Sequence, residues 1–208
     1  MANKRTGAYG IYYGSFFNES VTLSSDEMHV NAIYIAEFLF NQSWTLNAVA
    51  GMIGNMQAES ALNPGRWQSE NVGNTSGGYG LVQWTPATNY LNWCSTNGIS
   101  DPSEMDSNLI RIMYEMDHGL QWIATSAYPL SFKDFSQSKE SPAYLASAFL
   151  KNYERAGVEV EETRRSNAEY WFEWLSGNMP DIPGQDPDIK KKKGYNFILF
   201  NRRRRIAR

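Results

Sequence analysis

Apolar residues recur along much of the chain at the spacing of a helix face. Between Thr45 and Ser60 they fall every three or four positions, which predicts a helix with one apolar face: Ala48, Val49, Met52, Ile53 and Met56. Glu59 follows about two turns after Met52, so it belongs to the same face. The Asn-Pro-Gly turn that begins at Asn63 ends this helix. Glu59 is therefore predicted to lie at a helix end beside a loop, where active-site residues are often found.

The same periodicity, together with capping signals, predicts about six helices. Ser24 and Glu27 form a capping box ahead of a helix that runs to about Phe40. That helix is apolar around most of its circumference, so we expect it to be central and buried. The pair Thr85-Pro86 reads as the N-cap and first residue of another helix. The remaining helices are predicted at Met105–His118, Ser131–Phe135, from Ser141 through Tyr153, and Glu161–Leu175.

Residues 61–80 have a different character, because glycine, asparagine and serine replace the helical pattern. We predict a loop or a small twisted hairpin there. The fold class is therefore predicted as α+β, mostly helical, with a small β or loop insertion. We expect an extended arm at residues 1–22, with short strands around Ile11–Phe17, a main domain at 23–177, and a linker with a basic tail at 178–208.

Charge separates the tail from the rest of the chain. All 22 acidic residues lie at or before Asp188, whereas residues 189–208 carry nine Lys and Arg. A solvated, disordered end explains this composition, and so does a segment that binds an anionic surface or an acidic partner. The sequence alone leaves both interpretations open for residues 190–208.

Composition limits the chemistry that the chain can perform. The single cysteine, Cys94, excludes an internal disulfide and is expected to be a buried thiol. His29 and His118 lack a surrounding ligand cluster, so we predict neither a metal site nor a cofactor. We also expect no transmembrane segment and no secretory signal peptide. Seven Trp and twelve Tyr suit both an aromatic core and a carbohydrate-binding protein.

Glu59 is the main candidate for chemistry. A carboxylate at the edge of an apolar face loses hydration, which raises its pKa. A carboxylic acid that stays protonated near neutral pH can protonate the leaving oxygen of a glycoside. The alternative is a solvated surface glutamate near a helix end. The local pattern does not decide between the two.

Four motifs, in order, carry a resemblance to a known family: Asn55–Ser60, Asn74–Ser76, Tyr79–Pro86 and Asn152–Arg155. Over Met28–Gly177 the chain resembles the phage tail lysozyme family, which includes the tail-tip (knob) proteins of short-tailed phages. The Glu-Ser pair followed by Gly-Leu-x-Gln is also similar to the goose-lysozyme and lytic-transglycosylase superfamily.

The resemblance implies a lysozyme-like fold that cuts the β-1,4 bond between N-acetylmuramic acid and N-acetylglucosamine in bacterial peptidoglycan. It implies that Glu59 is the catalytic acid, that Gln83 belongs to the loop lining the sugar groove, and that Tyr153 lies near the scissile bond. Ser60, beside Glu59, is a further candidate for substrate binding.

Other residues have two open interpretations each. Glu70 and Glu154 are the candidates for the second carboxylate that hydrolysis requires, or they are structural, with Glu154 paired to Arg155 or Arg66. If neither faces Glu59, a single-acid lytic transglycosylase becomes the better interpretation. The polar residues Gln83, Asn74 and Thr75 either bind sugar or hold their own loop together. The aromatic residues Trp67 and Tyr79 are candidates to stack on sugar rings.

The expected location is a phage tail, with peptidoglycan as substrate and other tail proteins as partners. Two alternatives remain from the sequence. One is a structural or adsorption protein of the virion that has lost activity, and the other is a free lysin released late in infection.

Overall fold

The computed structural model describes residues 5–6, 12–13, 22–155 and 160–179. The predicted basic tail at 190–208 lies outside the described residues, as do most of the arm and linker. The proposed domain boundaries therefore stay predictions. No helix within the described ranges combines the length and the apolar character needed to cross a bilayer.

The described part of the chain is mostly helical. A short antiparallel pair joins β1 (Arg5–Thr6) to β2 (Tyr12–Tyr13). A 3-10 turn at Gln68–Glu70 and a π-helical segment at Leu150–Glu154 lie among the α-helices. These helices are α1 Ser25–Asn41, α2 Leu46–Ser60, α3 Thr88–Thr96, α4 Met105–Asp117, α5 Phe132–Gln137, α6 Pro142–Phe149 and α7 Glu161–Asn178.

Local capping sets the starts of the first two helices as predicted. The Ser24 side chain accepts from the Glu27 amide, and Glu27 bonds back to Ser24, which confirms the capping box of α1. Thr45 caps α2 through the Ala48 amide. The predicted start of α3 at Pro86 is wrong, because the helix begins at Thr88. The Thr85 hydroxyl turns back to donate to the Gln83 carbonyl instead of capping a helix.

The second helix, α2, is the centre of the fold. It packs against α1, α5, α6 and α7, whereas the expectation from the sequence gave the central place to α1. Two glycines allow this close packing. A Cβ on Gly51 would lie 2.8 Å from the Leu145 Cβ in α6, and one on Gly54 would lie 2.7 Å from backbone atoms of α7. The helices meet at a distance that larger residues would prevent.

Between α2 and α3 the chain forms a loop without a sheet, so the small β insertion is not confirmed among residues 61–87. Two isolated antiparallel bridges link Tyr79 to Trp67 and to Trp84. Other amides of the loop bond to side chains, as when Leu81 donates to the Asn108 Oδ1 at 2.9 Å. Because these amides are satisfied outside a ladder, no extended strand pairing develops.

Candidate active site

An open cleft lies where the end of α2 faces the α2–α3 loop, α4 and the π-helical segment. Its volume is about 630 Å³, a size typical of ligand-binding sites. Three glutamates and three arginines line it: Glu59, Glu115, Glu154, Arg66, Arg111 and Arg155. The rest of the wall comes from Gln68, Ser69, Val82, Gln83, Trp84, Thr85, Asn89, Gln121 and Tyr153.

Glu59 enters the cleft from the last turn of α2. Ala61 adopts a left-handed conformation with φ of 54° and ends the helix, and the Asn63 Oδ1 then accepts from the Gly65 amide to form the predicted turn. The Glu59 side chain is 21% exposed. Its Oε1 accepts a short hydrogen bond from the Nη2 of Arg164. The structure thus places Glu59 at the cleft, already paired with a cation.

Arg164 comes from α7 and is almost fully buried. Its Nη1 also donates to the Asn55 carbonyl oxygen at 3.2 Å, so the guanidinium contacts α2 at two successive turns. The close approach of the two helices at Gly54 puts Arg164 within reach of Glu59. No local pattern in the sequence indicates this contact, since the two charges lie 105 residues apart.

Glu154 is the last residue of the π-helical segment and lines the same cleft. Its Oε1 is shielded from solvent and has no hydrogen-bond partner among the described residues. Burial raises the pKa of Glu154 well above its usual value, and the negative charge of Glu59 raises it further. Arg164 opposes both effects. The two carboxylates therefore lie close enough in the cleft for the charge of Glu59 to act on Glu154.

Neither arginine expected to pair with Glu154 does so among the described ion pairs. Arg66 lies 3.4 Å from Glu70, and Arg155 donates to the Gln121 carbonyl. Glu70 itself is 54% exposed and lies outside the cleft lining. Of the two candidates for a second carboxylate, only Glu154 is thus brought to the cleft with Glu59.

A third carboxylate, Glu115, was missed by the sequence analysis. It is buried and accepts from the Trp84 Nε1 at 3.0 Å, the Arg111 Nε at 2.8 Å and the Tyr153 hydroxyl through a short hydrogen bond. Burial raises the pKa of Glu115, and the hydrogen bond from Tyr153 is the strongest of the contacts that oppose it. Only the i,i+4 spacing of Arg111 and Glu115 offered a signal in the sequence.

Glu115 holds three parts of the cleft wall together. It lies on α4, while Trp84 belongs to the α2–α3 loop and Tyr153 to the π-helical segment. Tyr153 is buried beside Glu154, and its hydroxyl donates a hydrogen bond to Glu115. Tyr153 therefore lines the cleft, as expected, with its hydroxyl directed at a protein carboxylate.

Gln83 lines the cleft but uses its amide nitrogen within the loop. Its Nε2 donates to the carbonyls of Gly80 at 2.9 Å and Arg66 at 3.1 Å. The Ser60 hydroxyl is buried and donates to the Leu81 carbonyl, which fixes the loop to the end of α2. Gln83 thus holds the loop together, Ser60 holds the loop against the helix that carries Glu59, and Ser60 is not part of the cleft lining.

The remaining predicted sugar contacts lie outside the cleft lining. Trp67 and Tyr79 are buried, and their ring centroids are 4.5 Å apart. Neither ring is exposed to the cleft, so their positions do not support stacking on sugar. Asn74 and Thr75 are exposed, and the Asn74 Oδ1 accepts from the Ser76 amide. Packing of the Trp67 and Tyr79 rings against each other draws these two residues of the loop into the core.

Within the described ranges, no group of three or more His, Cys, Asp or Glu side chains could hold a metal ion. The charged groups that line the cleft are carboxylates and guanidinium groups. Two carboxylates in one open cleft are the feature that glycosidases use for acid–base cleavage of sugar chains.

A mostly helical domain with carboxylates in an open cleft fits the lysozyme-like class. The sequence profile of the phage tail lysozyme family matches residues 30–175, and the chain belongs to that family. Morphogenesis protein 1 of Bacillus phage B103 is 49% identical to it over 162 residues. That match covers 78% of this chain and 44% of the relative, so the chain spans less than half of the relative's length.

Proposed function

We propose that the protein is a peptidoglycan-degrading glycosidase that cuts the β-1,4 bond between N-acetylmuramic acid and N-acetylglucosamine. Membership of the phage tail lysozyme family supports the substrate and the reaction class. The observation that carries the proposal is the pairing of Glu59 with Glu154 in one cleft. Hydrolysis of a glycoside needs two carboxylates, one on each side of the scissile bond.

In this proposal the two carboxylates divide the acid and base roles. The raised pKa of Glu154 keeps a proton in the cleft at a higher pH than an isolated carboxylate would keep it. The family resemblance assigns delivery of a proton to the glycosidic oxygen to Glu59. Glu59 is partly exposed at the cleft, as a proton donor must be. Glu154 is the second carboxylate: once its proton has passed to Glu59 and on to the leaving oxygen, Glu154 is negatively charged and acts on water or stabilises the cationic sugar.

The second carboxylate also separates two reaction types. With Glu154 in the cleft, water is the favoured nucleophile, and each product carries an ordinary reducing end. In a lytic transglycosylase the 6-hydroxyl of the sugar attacks, and each product ends in an anhydro sugar. Mass spectrometry of muropeptides released from purified wall distinguishes the two, since anhydro ends throughout would overturn the hydrolase assignment.

The first test compares three glutamine variants in a wall-clearing assay. Glu59→Gln and Glu154→Gln are each expected to lower the rate by about 10²- to 10⁴-fold, the usual contribution of general acid–base catalysis. Glu169→Gln, on the exposed surface of α7, is the matched control and is expected to clear walls like the wild type. Equal clearing by Glu59→Gln and the control would remove Glu59 from the mechanism.

Wall clearing also tests the non-catalytic alternative. A structural or adsorption protein would bind walls, yet neither the wild type nor any variant would release muropeptides. Release by the wild type and by Glu169→Gln, with much slower release by Glu59→Gln and Glu154→Gln, supports the enzyme.

We further propose that the protein acts as a component of the phage tail, with other tail proteins as partners. The family and the phage morphogenesis relative support this location. Mass spectrometry of purified particles tests it. A protein found in infected-cell lysates but not in washed particles would instead be a free lysin.

A further inference from the structure

The three arginines that line the cleft differ in how many ion pairs and hydrogen bonds they form. Arg111 forms an ion pair with Glu115, and its Nε lies 2.8 Å from the Glu115 Oε1. Arg66 contacts Glu70 at 3.4 Å and donates to the Thr22 hydroxyl at 2.8 Å. Arg155 is in none of the ion pairs formed among the described residues, and its guanidinium donates to the Gln121 carbonyl at 2.6 Å.

The backbone holds Arg155 in place at the cleft wall. It adopts a left-handed conformation with φ of 57°, and its amide donates to the Leu150 carbonyl at 2.7 Å. The neighbouring loop ties to the same segment, because the Gln121 Nε2 donates to the Tyr153 carbonyl at 3.1 Å. The guanidinium is thus anchored at one Nη while most of its five N–H donors stay available within the described part of the site.

The charge balance of the cleft favours an anion at this position. Every other arginine at the cleft has a carboxylate partner: Arg111 pairs with Glu115, Arg66 with Glu70 and Arg164 with Glu59. Arg155, directly after Glu154, is the cleft arginine without a carboxylate partner among the described ion pairs. An anchored guanidinium binds a carboxylate through two parallel hydrogen bonds.

We propose that Arg155 binds a carboxylate on the substituent of the N-acetylmuramic sugar, and so selects cell-wall glycan over uncharged glycan. This inference rests on the proposed function. The carboxylate has two possible sources in peptidoglycan. One is the lactyl group itself, which is free on strands without peptides, and the other is the peptide stem attached to that group.

The experiment compares Arg155→Ala with the wild type on soluble glycan strands that carry peptide stems and on strands stripped of them by an amidase. Each substrate is also used after its carboxylates are converted to methylamides with carbodiimide. For the charged substrates, KM and the dissociation constant of Arg155→Ala are expected to rise about 10- to 100-fold, the range of a lost charge-assisted hydrogen bond. For the neutralised substrates the two proteins are expected to behave alike.

The pattern of losses identifies the source of the carboxylate. A loss only on stripped strands assigns it to the lactyl group, a loss only on stem-bearing strands assigns it to the peptide, and a loss on both shows that the site accepts either carboxylate. Arg155→Lys is expected to retain part of the discrimination, since it keeps the charge but not the fork. Arg165→Ala, on α7 outside the cleft lining, is the matched control.

Equal effects of Arg155→Ala on charged and neutralised strands would overturn the inference, because a residue that only holds the loop would impair both alike. Thermal melting of each variant reports such a structural loss separately. Failure of the wild type to release any muropeptide would overturn the proposed function instead. The binding measurements still test Arg155 in that case, since they do not require cleavage.

Discussion

The close contact between α2 and α7 at Gly54 can be tested by adding a single methyl group. A Cβ at this position would lie 2.7 Å from the Ala168 amide nitrogen, 2.7 Å from the Arg164 carbonyl oxygen and 2.9 Å from the Ala168 Cβ. Two of these three atoms belong to the backbone, so no side-chain rotation relieves the clash. Gly54→Ala must therefore move α7 away from α2.

The expected magnitude follows from two opposing contributions. Replacing glycine by alanine inside a helix stabilises it by about 0.5–1 kcal/mol. Overpacking a well-filled interior costs about 1–3 kcal/mol, and a backbone clash belongs in the upper part of that range. The free energy of unfolding is thus expected to fall by about 1–2 kcal/mol, which for a chain of this size lowers the Tm by about 2–8 °C.

The assay is urea or thermal unfolding, with Gly177→Ala as the matched control. Gly177 is also helical and lies in α7, but an added Cβ there would meet nothing within 4 Å. The same substitution is therefore expected to leave stability unchanged or to raise it by up to about 1 kcal/mol. Should Gly54→Ala prove as stable as Gly177→Ala, the close helix contact would be refuted.

Two further predictions concern the buried carboxylates. The raised pKa of Glu154 means that the folded protein binds a proton that the unfolded chain releases, so stability falls as pH rises above the ordinary value of 4.5. Glu154→Gln is therefore expected to melt higher than the wild type at pH 7 while losing activity, and this gain should vanish near pH 4; a gain that is independent of pH would contradict the argument. Tyr153→Phe removes a donor from Glu115 and is expected to lower the free energy of unfolding by about 1–3 kcal/mol, measured in urea. An unchanged midpoint would show that this hydrogen bond contributes nothing.

Helix positions were predictable because their signals are local. Ser24 and Thr45 cap the helices that follow them, and the apolar repeat before Glu59 predicted a helix that ends at Ser60. The start of α3 was missed because Thr85 bonds to Gln83, a choice that the surrounding loop imposes. A capping motif shows that a residue is able to cap a helix, but the hydrogen bonds available in the folded loop determine whether the cap forms.

The candidate site was predictable only in part. The motifs pointed to Glu59 and Glu154, but nothing local indicated that Arg164 pairs with one or that Glu115 braces the wall beside the other. Trp67 has an aromatic side chain of the kind that stacks on sugar rings, yet it is buried. Aromatic residues suit cores and sugar grooves equally well, so composition does not separate the two.

By itself, the sequence determined where most helices start and stop, where the glycine-rich loop lies, and which glutamate lies in the last turn of the second helix. These features depend on neighbours within a few residues. The tertiary structure decided which helix is central, which charges meet, and which carboxyl group is forced toward its neutral form. Those outcomes depend on helix packing at Gly51 and Gly54, which brings together residues about a hundred positions apart and removes water from around them.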